Sequence, residues 1–492
     1  MRRPIVILAG LVAVQACASA PGYRSPAVDV PASFREMGDS SHTSPAASTS
    51  YVATRTPAGG PAERAERPDR AVISSDYWDQ LGDTALSRLM GAVQSANLDV
   101  KAARARVSAA RSDRVRAALE LTPSTLVSGS YSRQRLSSAT FPGFGGSVFP
   151  DQNIWDAGVT ATWDLDVFGR IRQNVQAQGA FVGAAQEELR DVQVSLTAEV
   201  AQAYFELRGA QEQLEVARRN AENQRRTFDL TRQRLEAGRG SAFDTERAQA
   251  QLSSTLASIP AREAQVAAAQ YRIGTLVGRS PTAVAHELEQ SGAGQLPALP
   301  DITTIEQPAV VVRSRPDVAA AERLAAAQGA LVGAAQASYL PRLTIGGSVG
   351  YAAPDFNTVG NRSTLRYVVG PTLTWPGLNL GRVKAEVDAA QAREDAARAQ
   401  YNRVVLAAME EVETSITRYR AARERLERLQ EASTASERAA DLARLRFSEG
   451  ITDFLQVLDA ERTQLDAQDR LAQGRIDAAT AYAQLYRAVG GK

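Results

Sequence analysis

The feature that most constrains this chain is an internal repeat, in which the same order of motifs occurs twice, about 212 to 218 positions apart. The matching segments are 123 with 341, 163–170 with 375–382, and 229–238 with 441–450. Each half reads as a helix, a β-hairpin, a very long helix, a turn and a second helix. A chain that duplicates such a unit is expected to build its fold from two equivalent halves.

Four segments alternate apolar and polar residues with the period of two that is typical of strands with one apolar face. They predict two β-hairpins, at about 122–166 and 341–376. Two strands carry an aromatic residue at each end of the apolar face: Trp155 and Trp163 in the first repeat, Tyr367 and Trp375 in the second. At ~3.3 Å per residue the two aromatics of a strand are about 26 Å apart. Membrane strands show an apolar band of about 25 Å between aromatic girdles, so the pattern favours membrane strands over a water-soluble sandwich.

Four strands are too few to close a sheet on itself, because about eight are needed for even a filled interior. In lipid an open edge costs several kcal/mol for each unpaired backbone group. The chain is therefore expected to form an oligomer in which two copies supply eight strands or three supply twelve. Polar faces rich in Gly, Ser, Thr and Asp favour the wider, water-filled arrangement.

Two long stretches without proline, 170–238 and 382–450, predict two very long helices. At 1.5 Å per residue each would span about 100 Å. Their Ala, Gln, Glu, Arg and Leu content is that of coiled coils. Return helices are expected at 244–275 and 454–488, and a further helix at 316–339. The two repeats then occupy 76–279 and 311–492, joined by a segment at 280–310 that contains several Pro and Gly.

The N-terminus has the pattern of a lipoprotein signal. Arg2 and Arg3 precede an apolar stretch, and Cys17, the only cysteine of the chain, lies at the expected cleavage position. We expect residues 1–16 to be a signal peptide and the Cys17 thiol to be acylated, with 17–75 as a flexible leash of Ala, Ser, Thr and Pro. An ordinary cleaved signal with an incidental cysteine is the alternative. No later run of eighteen apolar residues predicts a transmembrane helix.

Composition argues against several other classes of protein. The 56 basic and 55 acidic residues nearly cancel, which gives no indication of a nucleic-acid partner. Two histidines and one cysteine offer neither a metal site nor a catalytic triad. We therefore expect no enzyme activity, no metal and no cofactor.

Strands of bilayer length, helices of periplasmic length and a twofold repeat resemble the TolC-like outer-membrane efflux family. The chain is most similar to the lipoprotein branch that serves RND-type drug pumps. The matching residues are Cys17 with 21–26, Arg315-Pro316-Asp317 with Ala321-Glu322, the turns at 232–238 and 444–450, and Leu458-Asp459-Ala460. The resemblance covers about 76 to the end and the region of Cys17, whereas the insertion around 37–72 departs from the family pattern.

This resemblance implies a mainly α protein with membrane β-structure. Three chains would form a 12-stranded β-barrel in the outer membrane, continued by a 12-helix tunnel through the periplasm. The homotrimer would be a lipid-anchored, passive duct for drugs or other small molecules. A periplasmic adaptor would dock at the helix-turn tips, and an inner-membrane RND-type transporter would supply the energy.

The resemblance also implies functional residues at one end of the helices. Six residues at the tips are candidates for docking the adaptor: Arg232, Leu235, Gly238, Arg444, Phe447 and Gly450. These glycines and arginines also suit helix C-terminal turns, so a purely structural role stays open. Three residues are candidates for a periplasmic gate: Asp244, Gln456 and Asp459. For Asp244 the alternative is a helix start shared with Ser241.

Two other functions stay open at this point. A duct for protein secretion would have the same strands and helices. A coiled-coil lipoprotein that tethers the envelope would explain the helices and Cys17, but it would leave the four amphipathic strands without a use.

Overall fold

The computed structural model describes Pro31, Phe34 and residues 76–137, 150–290, 296–300 and 307–491. Cys17, the signal peptide and almost all of the leash lie outside these residues, so the acylation and leash expectations stay predictions. The described chain divides into two compact units. One contains 106–186 and 320–401, and the other contains 76–105, 187–319 and 402–491.

The first unit contains an antiparallel sheet of four strands in the order β1-β2-β3-β4. The strands are β1 (Ser124–Gln134), β2 (Gln152–Asp164), β3 (Arg342–Ala353) and β4 (Leu365–Thr374). Each repeat contributes one hairpin, and β2 pairs with β3 to join the two hairpins. The β-branched and aromatic residues of these segments suit a pleated surface.

The two hairpins have the same register, which shows that the sequence repeat is also a structural one. Ser124 lies opposite Thr162 in the first hairpin, and the repeat-equivalent residues Arg342 and Thr374 lie opposite each other in the second. The same equivalence holds near the C-terminal ends of β2 and β4, where two indole N–H groups donate to backbone carbonyls. Trp163 donates to Leu121 O at 2.8 Å, and Trp375 donates to Tyr339 O at 3.0 Å.

The register also sorts the side chains onto two faces. Residues directly opposite each other share a face, and this places Trp155, Trp163 and Tyr367 of the predicted girdle on one apolar side, while Trp375 directly follows β4. Many apolar side chains on this side are exposed in the single chain, for example Val127 at 77% and Val369 at 73%. The opposite face carries Ser and Thr with an ion pair in which Arg366 Nη2 lies 2.6 Å from Asp156 Oδ1.

The helices α1 (Thr84–Ala96) and α2 (Leu98–Leu119) precede β1, after a single helical turn at Asp76–Asp79. Helices α3 (Arg170–Glu236) and α4 (Ala242–Val277) follow β2, and α5 (Pro281–Gln290) and α6 (Pro308–Ser314) lie between the repeats. The second repeat contains α7 (Pro316–Ala337), α8 (Leu380–Ser448) and α9 (Phe454–Ala488). In the described part of the chain, none of the helices is long and apolar enough to cross a membrane.

The second unit has an aromatic core. Tyr204 and Phe205 of α3 are completely buried, as is Tyr486 of α9. Tyr77 stacks on Tyr482 with ring centroids 4.6 Å apart, which ties the helical turn Asp76–Asp79 to the last helix. Burial and a hydrogen bond to Asp83 raise the pKa of Tyr204 to about 12, so its hydroxyl stays a neutral donor.

A buried arginine joins several segments of the same unit. Arg315 is 6% exposed, and its guanidinium donates to Asp317 at 2.8 Å and to Glu411 at 2.7 Å. A third bond, at 2.6 Å, goes to the carbonyl of Ala488 near the end of α9. One cation therefore connects the N-terminus of α7, the middle of α8 and the C-terminus of α9.

Asp191 of α3 titrates beside this cluster. Burial raises the pKa of Asp191, Asp317 and Glu411 raise it further, and Arg487 and Arg315 oppose the change. The folded chain therefore binds the Asp191 proton more tightly than the unfolded chain does. Its contribution to stability is complete below the ordinary Asp pKa and is lost as the pH rises through the folded pKa.

Asp191→Asn is therefore expected to stabilise the protein at pH 7, because the amide replaces a half-buried carboxylate without its charge. The gain should disappear below about pH 4, where aspartate begins to be protonated even in the unfolded chain. Thermal melts of both proteins between pH 3 and 8 measure the difference. A variant that melts at a lower temperature than the parent at pH 7 would contradict this assignment.

Candidate functional site

The two helix-turn tips have the same backbone construction. After α3, Gly238 takes a positive φ of 64°, and Arg239 N donates to Arg234 O at 2.8 Å. After α8, Gly450 takes a φ of 74°, and Ile451 N donates to Arg446 O at 2.9 Å. This is the six-to-one bond of a Schellman cap, whose left-handed residue is usually glycine. Both glycines of the predicted docking set therefore have a structural reason to be glycine.

The helices that follow the tips begin with side-chain caps. Ser241 Oγ accepts a hydrogen bond from Phe243 N at 3.1 Å before α4, and Asp453 Oδ1 accepts one from Gln456 N at 3.2 Å before α9. Such caps satisfy amides that have no partner within the helix. Asp244 is half-buried in the first turn of α4, where its charge suits the helix N-terminus.

The two predicted docking arginines differ although they are repeat equivalents. Arg232 is 54% exposed at its side chain and lies 3.6 Å from Asp229. Arg444 is only 27% exposed, because its Nε donates to the buried carboxylate of Glu461 at 2.9 Å and its Nη2 donates to Gln464 at 2.8 Å. The residue equivalent to Glu461 in the first repeat is Gln249, so Arg232 has no matching buried acid.

Glu461 forms the centre of a small polar network inside the tip. Its side chain is 5% exposed and also accepts a hydrogen bond from Thr227 of α3 at 2.9 Å. The network therefore links α3, α8 and α9. The sequence analysis did not single out Glu461 or Thr227. The available signal for Glu461 was an acidic residue on the same face of α9 as the buried Phe454 and Val457.

The predicted docking residues do not all reach one surface. Leu235 is 36% exposed, whereas Phe447 is 8% exposed and packs on Phe454 with ring centroids 5.6 Å apart. Phe447 belongs to a small apolar core with Ala248, Phe454 and Val457. Its first role is therefore to hold the tip together.

Arg234 is a tip residue that the sequence analysis missed. Its guanidinium carbon lies 4.3 Å from the centre of the Phe447 ring, and Nη2 donates to Phe447 O at 2.8 Å and to Ser448 O at 2.9 Å. A cation at the last carbonyls of α8 is favoured by the helix dipole. The arginine of the first repeat thus caps the long helix of the second. An arginine occurs at the equivalent position of the second repeat, Arg446, and this repetition could have indicated Arg234 from the sequence.

The residues predicted for the gate lie next to this core. Gln456 and Asp459 are exposed and one helical turn apart on α9, whereas the neighbouring Val457 is fully buried. The repeat equivalent of Asp459 is Arg247, which stacks on Phe243 at 4.9 Å. The two repeats therefore present opposite charges at equivalent positions.

No group of three or more His, Cys, Asp or Glu side chains that could hold a metal ion occurs among the residues the structure describes. Several polar groups at the tips, among them Ser241, Asp453, Arg234 and Arg444, are engaged in helix caps and ion pairs. The chemistry available there is recognition and mechanical locking of helices.

Comparison with known proteins agrees with this architecture. The family model for outer membrane efflux proteins matches residues 89–279 and 310–491. The solved structure of the outer-membrane channel OprN is 35% identical, with a TM-score of 0.82, and the match covers 97% of this chain and 99% of that one. The outer membrane protein OprJ of Pseudomonas aeruginosa is 28% identical over 100% of this chain and 97% of its own length. Nodulation protein T of Rhizobium leguminosarum bv. viciae is 29% identical over 87% of this chain and 86% of its own length.

The fold, the repeat and these similarities define an outer-membrane channel component of an efflux system. The chain belongs to the outer membrane efflux protein family. The expected fold class, function class and outer-membrane location are thereby confirmed.

Proposed function

We propose that this chain is the passive trimeric duct of a tripartite efflux pump, carrying drugs or other small molecules from an inner-membrane transporter to the exterior. The observation that carries the proposal is the sheet with two open edges. In the described chain, β1 and β4 have a strand neighbour on one side only, and both faces of these strands are largely exposed. Unpaired edges of this length require partners in a bilayer.

Three copies provide those partners in a closed ring. If β4 of each copy pairs with β1 of the next, twelve strands have no remaining edge. The test is the protein mass of the detergent-extracted complex, measured by light scattering and corrected for bound detergent. A trimer supports the duct, whereas a stable monomer would favour the envelope-tether function. A duct for protein secretion would also be trimeric, and the efflux class of the relatives favours small molecules.

We place the adaptor at the exposed part of the tips. Arg232 is the docking candidate whose charge is most accessible, since Arg444 is held by Glu461. Arg232→Glu is expected to reduce site-directed crosslinking of the adaptor and drug efflux several-fold without a change in trimer mass. The control is Arg226→Glu, an exposed arginine of the same helix two turns away. Equal loss in both variants would argue against a specific dock.

We place the gate at Asp459 and Gln456. The exposed Asp459 carboxylates of three copies would form an acidic ring, which attracts cations at the pore entrance. Asp459→Ala is expected to raise single-channel conductance and to weaken block by multivalent cations in planar bilayers. Asp466→Asn, one helical heptad further along α9 and paired with Arg470, is the matched control. Unchanged conductance and unchanged block would remove Asp459 from the gate.

A further inference from the structure

The two tips are equivalent in sequence and backbone but differ in what their side chains contact. We propose that Leu442 and Arg446 of one copy bind the C-terminal turn of α3 in the next copy. This contact would reproduce between chains what Leu230 and Arg234 do within one chain. The inference rests on the proposed trimer and adds to it the surface and the residues through which neighbouring tips join.

The contact within the chain provides the template. Leu230 and Phe228 of α3 pack against the core formed by Phe447 and Phe454. Arg234, one helical turn beyond Leu230, lies on the Phe447 ring and donates to the last two carbonyls of α8. A leucine and an arginine at i and i+4 on one face of α3 therefore pack against and hydrogen-bond the C-terminal end of α8.

The second repeat has the same pair without a partner. Leu442 and Arg446 are the repeat equivalents of Leu230 and Arg234. Leu442 is 60% exposed, whereas Leu230 is packed against the tip core. Arg446 is exposed, and no ion pair, hydrogen bond or ring contact within the described residues engages its side chain. Leu445, beside it, is 57% exposed.

The surface that this pair would bind is also available. The equivalents of Phe447 and Ser448 are Leu235 and Glu236, the last residues of α3. Leu235 is 36% exposed, and both helices end in the same Schellman cap. The helix dipole leaves negative partial charge at these carbonyls. Ser448 has no charge, whereas the equivalent Glu236 carboxylate is 70% exposed and lies 3.8 Å from Arg232. This carboxylate adds a further attraction for Arg446.

Closure of a ring of three copies explains why Leu230 and Arg234 have a partner within the described chain whereas Leu442 and Arg446 do not. In a ring of duplicated chains, first and second repeats alternate, so every second junction lies between copies. The sheet shows the same alternation, because β2 and β3 are paired within the chain whereas β1 and β4 are open. The unpartnered surfaces at the tip therefore fit a second copy of this chain.

Crosslinking with a matched internal control tests the inference. Leu442→Cys with Leu235→Cys is treated with a short bismaleimide in the detergent-extracted full chain, beside the equivalent pair Leu230→Cys with Phe447→Cys. The first pair is expected to give dimer and trimer bands on a denaturing gel. The second should react within one chain and leave the monomer band. The parent, with Cys17 alone, controls for background.

A charge swap gives a second readout in case the cysteine variants fold poorly. Arg446→Glu is expected to reduce the trimer fraction after dilution in detergent at least twofold, and adding Glu236→Arg should restore it. Monomer bands alone from the first cysteine pair in a particle of trimer mass, or no restoration by the swap, would overturn this interface and leave the duct intact. A particle of monomer mass would instead overturn the proposed function.

Discussion

Arg315→Met is expected to destabilise the second unit by about 3 kcal/mol, because it removes charge-assisted hydrogen bonds to two partly exposed carboxylates and a buried bond to a carbonyl. The methionine has nearly the length of the arginine stem but none of its donors. Asp317 and Glu411 would face each other without the cation between them, beside Asp191, whose pKa is already raised by burial and by Asp317. The carbonyl of Ala488 would lose its partner as well.

The measurement is a thermal melt followed by circular dichroism, with hydrogen exchange to locate the change. Protection should fall first at the start of α7 and the end of α9, the segments that Arg315 joins. Arg315→Lys should recover part of the loss, since one ammonium cannot reproduce the forked contacts of a guanidinium. Arg428→Met, an exposed site in the same unit whose ion-pair partner Glu431 is also exposed, is the control and should stay within about 1 kcal/mol of the parent. A melt of Arg315→Met that coincides with this control would contradict the role of the cluster.

Arg444→Ala is expected to have the second largest effect, about 2 to 3 kcal/mol, because it leaves the buried Glu461 carboxylate with a single neutral donor. Thr227 would be that donor, at 2.9 Å from Glu461 Oε1. The damage should be local, since Glu461 lies in the tip. Hydrogen exchange over about 440–465 is expected to accelerate, while the aromatic core around Tyr204 keeps its protection.

The repeat supplies the control for this variant. Arg232→Ala removes the equivalent arginine, but its side chain is more exposed and its acidic neighbours are 3.6 and 3.8 Å away. Exposed pairs of this kind contribute at most about 1 kcal/mol. If Arg444→Ala and Arg232→Ala gave equal exchange rates, the buried network would have no special role. Glu461→Gln combined with Arg444→Ala should recover stability, because the uncompensated charge is then absent.

The residue on the following helix gives the two arginines different surroundings. Arg444 holds α8 against α9 from inside, so a docking role for its charge would compete with Glu461. Arg232 keeps its charge at the surface. The sequence analysis treated them as equal because the repeat made them equal, and the difference lies in Glu461 against Gln249 on the following helix.

The sequence by itself determined the repeat, the four strands and the long helices, since each depends on local patterns. Alternation with period two marks a strand wherever it pairs, as at Trp155 to Trp163, and glycine after a long helix marks its end, as at Gly238 and Gly450. The same alternation predicts the girdle residues, and their place at the membrane borders stays a prediction.

Only the tertiary structure decided which polar residues are locked and which are free to bind. Arg315, Arg444 and Arg234 are each drawn to partners 17 to more than 200 positions away in the chain. Glu461 is buried because α3, α8 and α9 meet around it, and the spacing within α9 indicates its inner position but not the partners that it meets there. Local sequence fixes backbone conformation through nearby sterics and hydrogen bonds, whereas burial and charge pairing depend on the packing of distant segments.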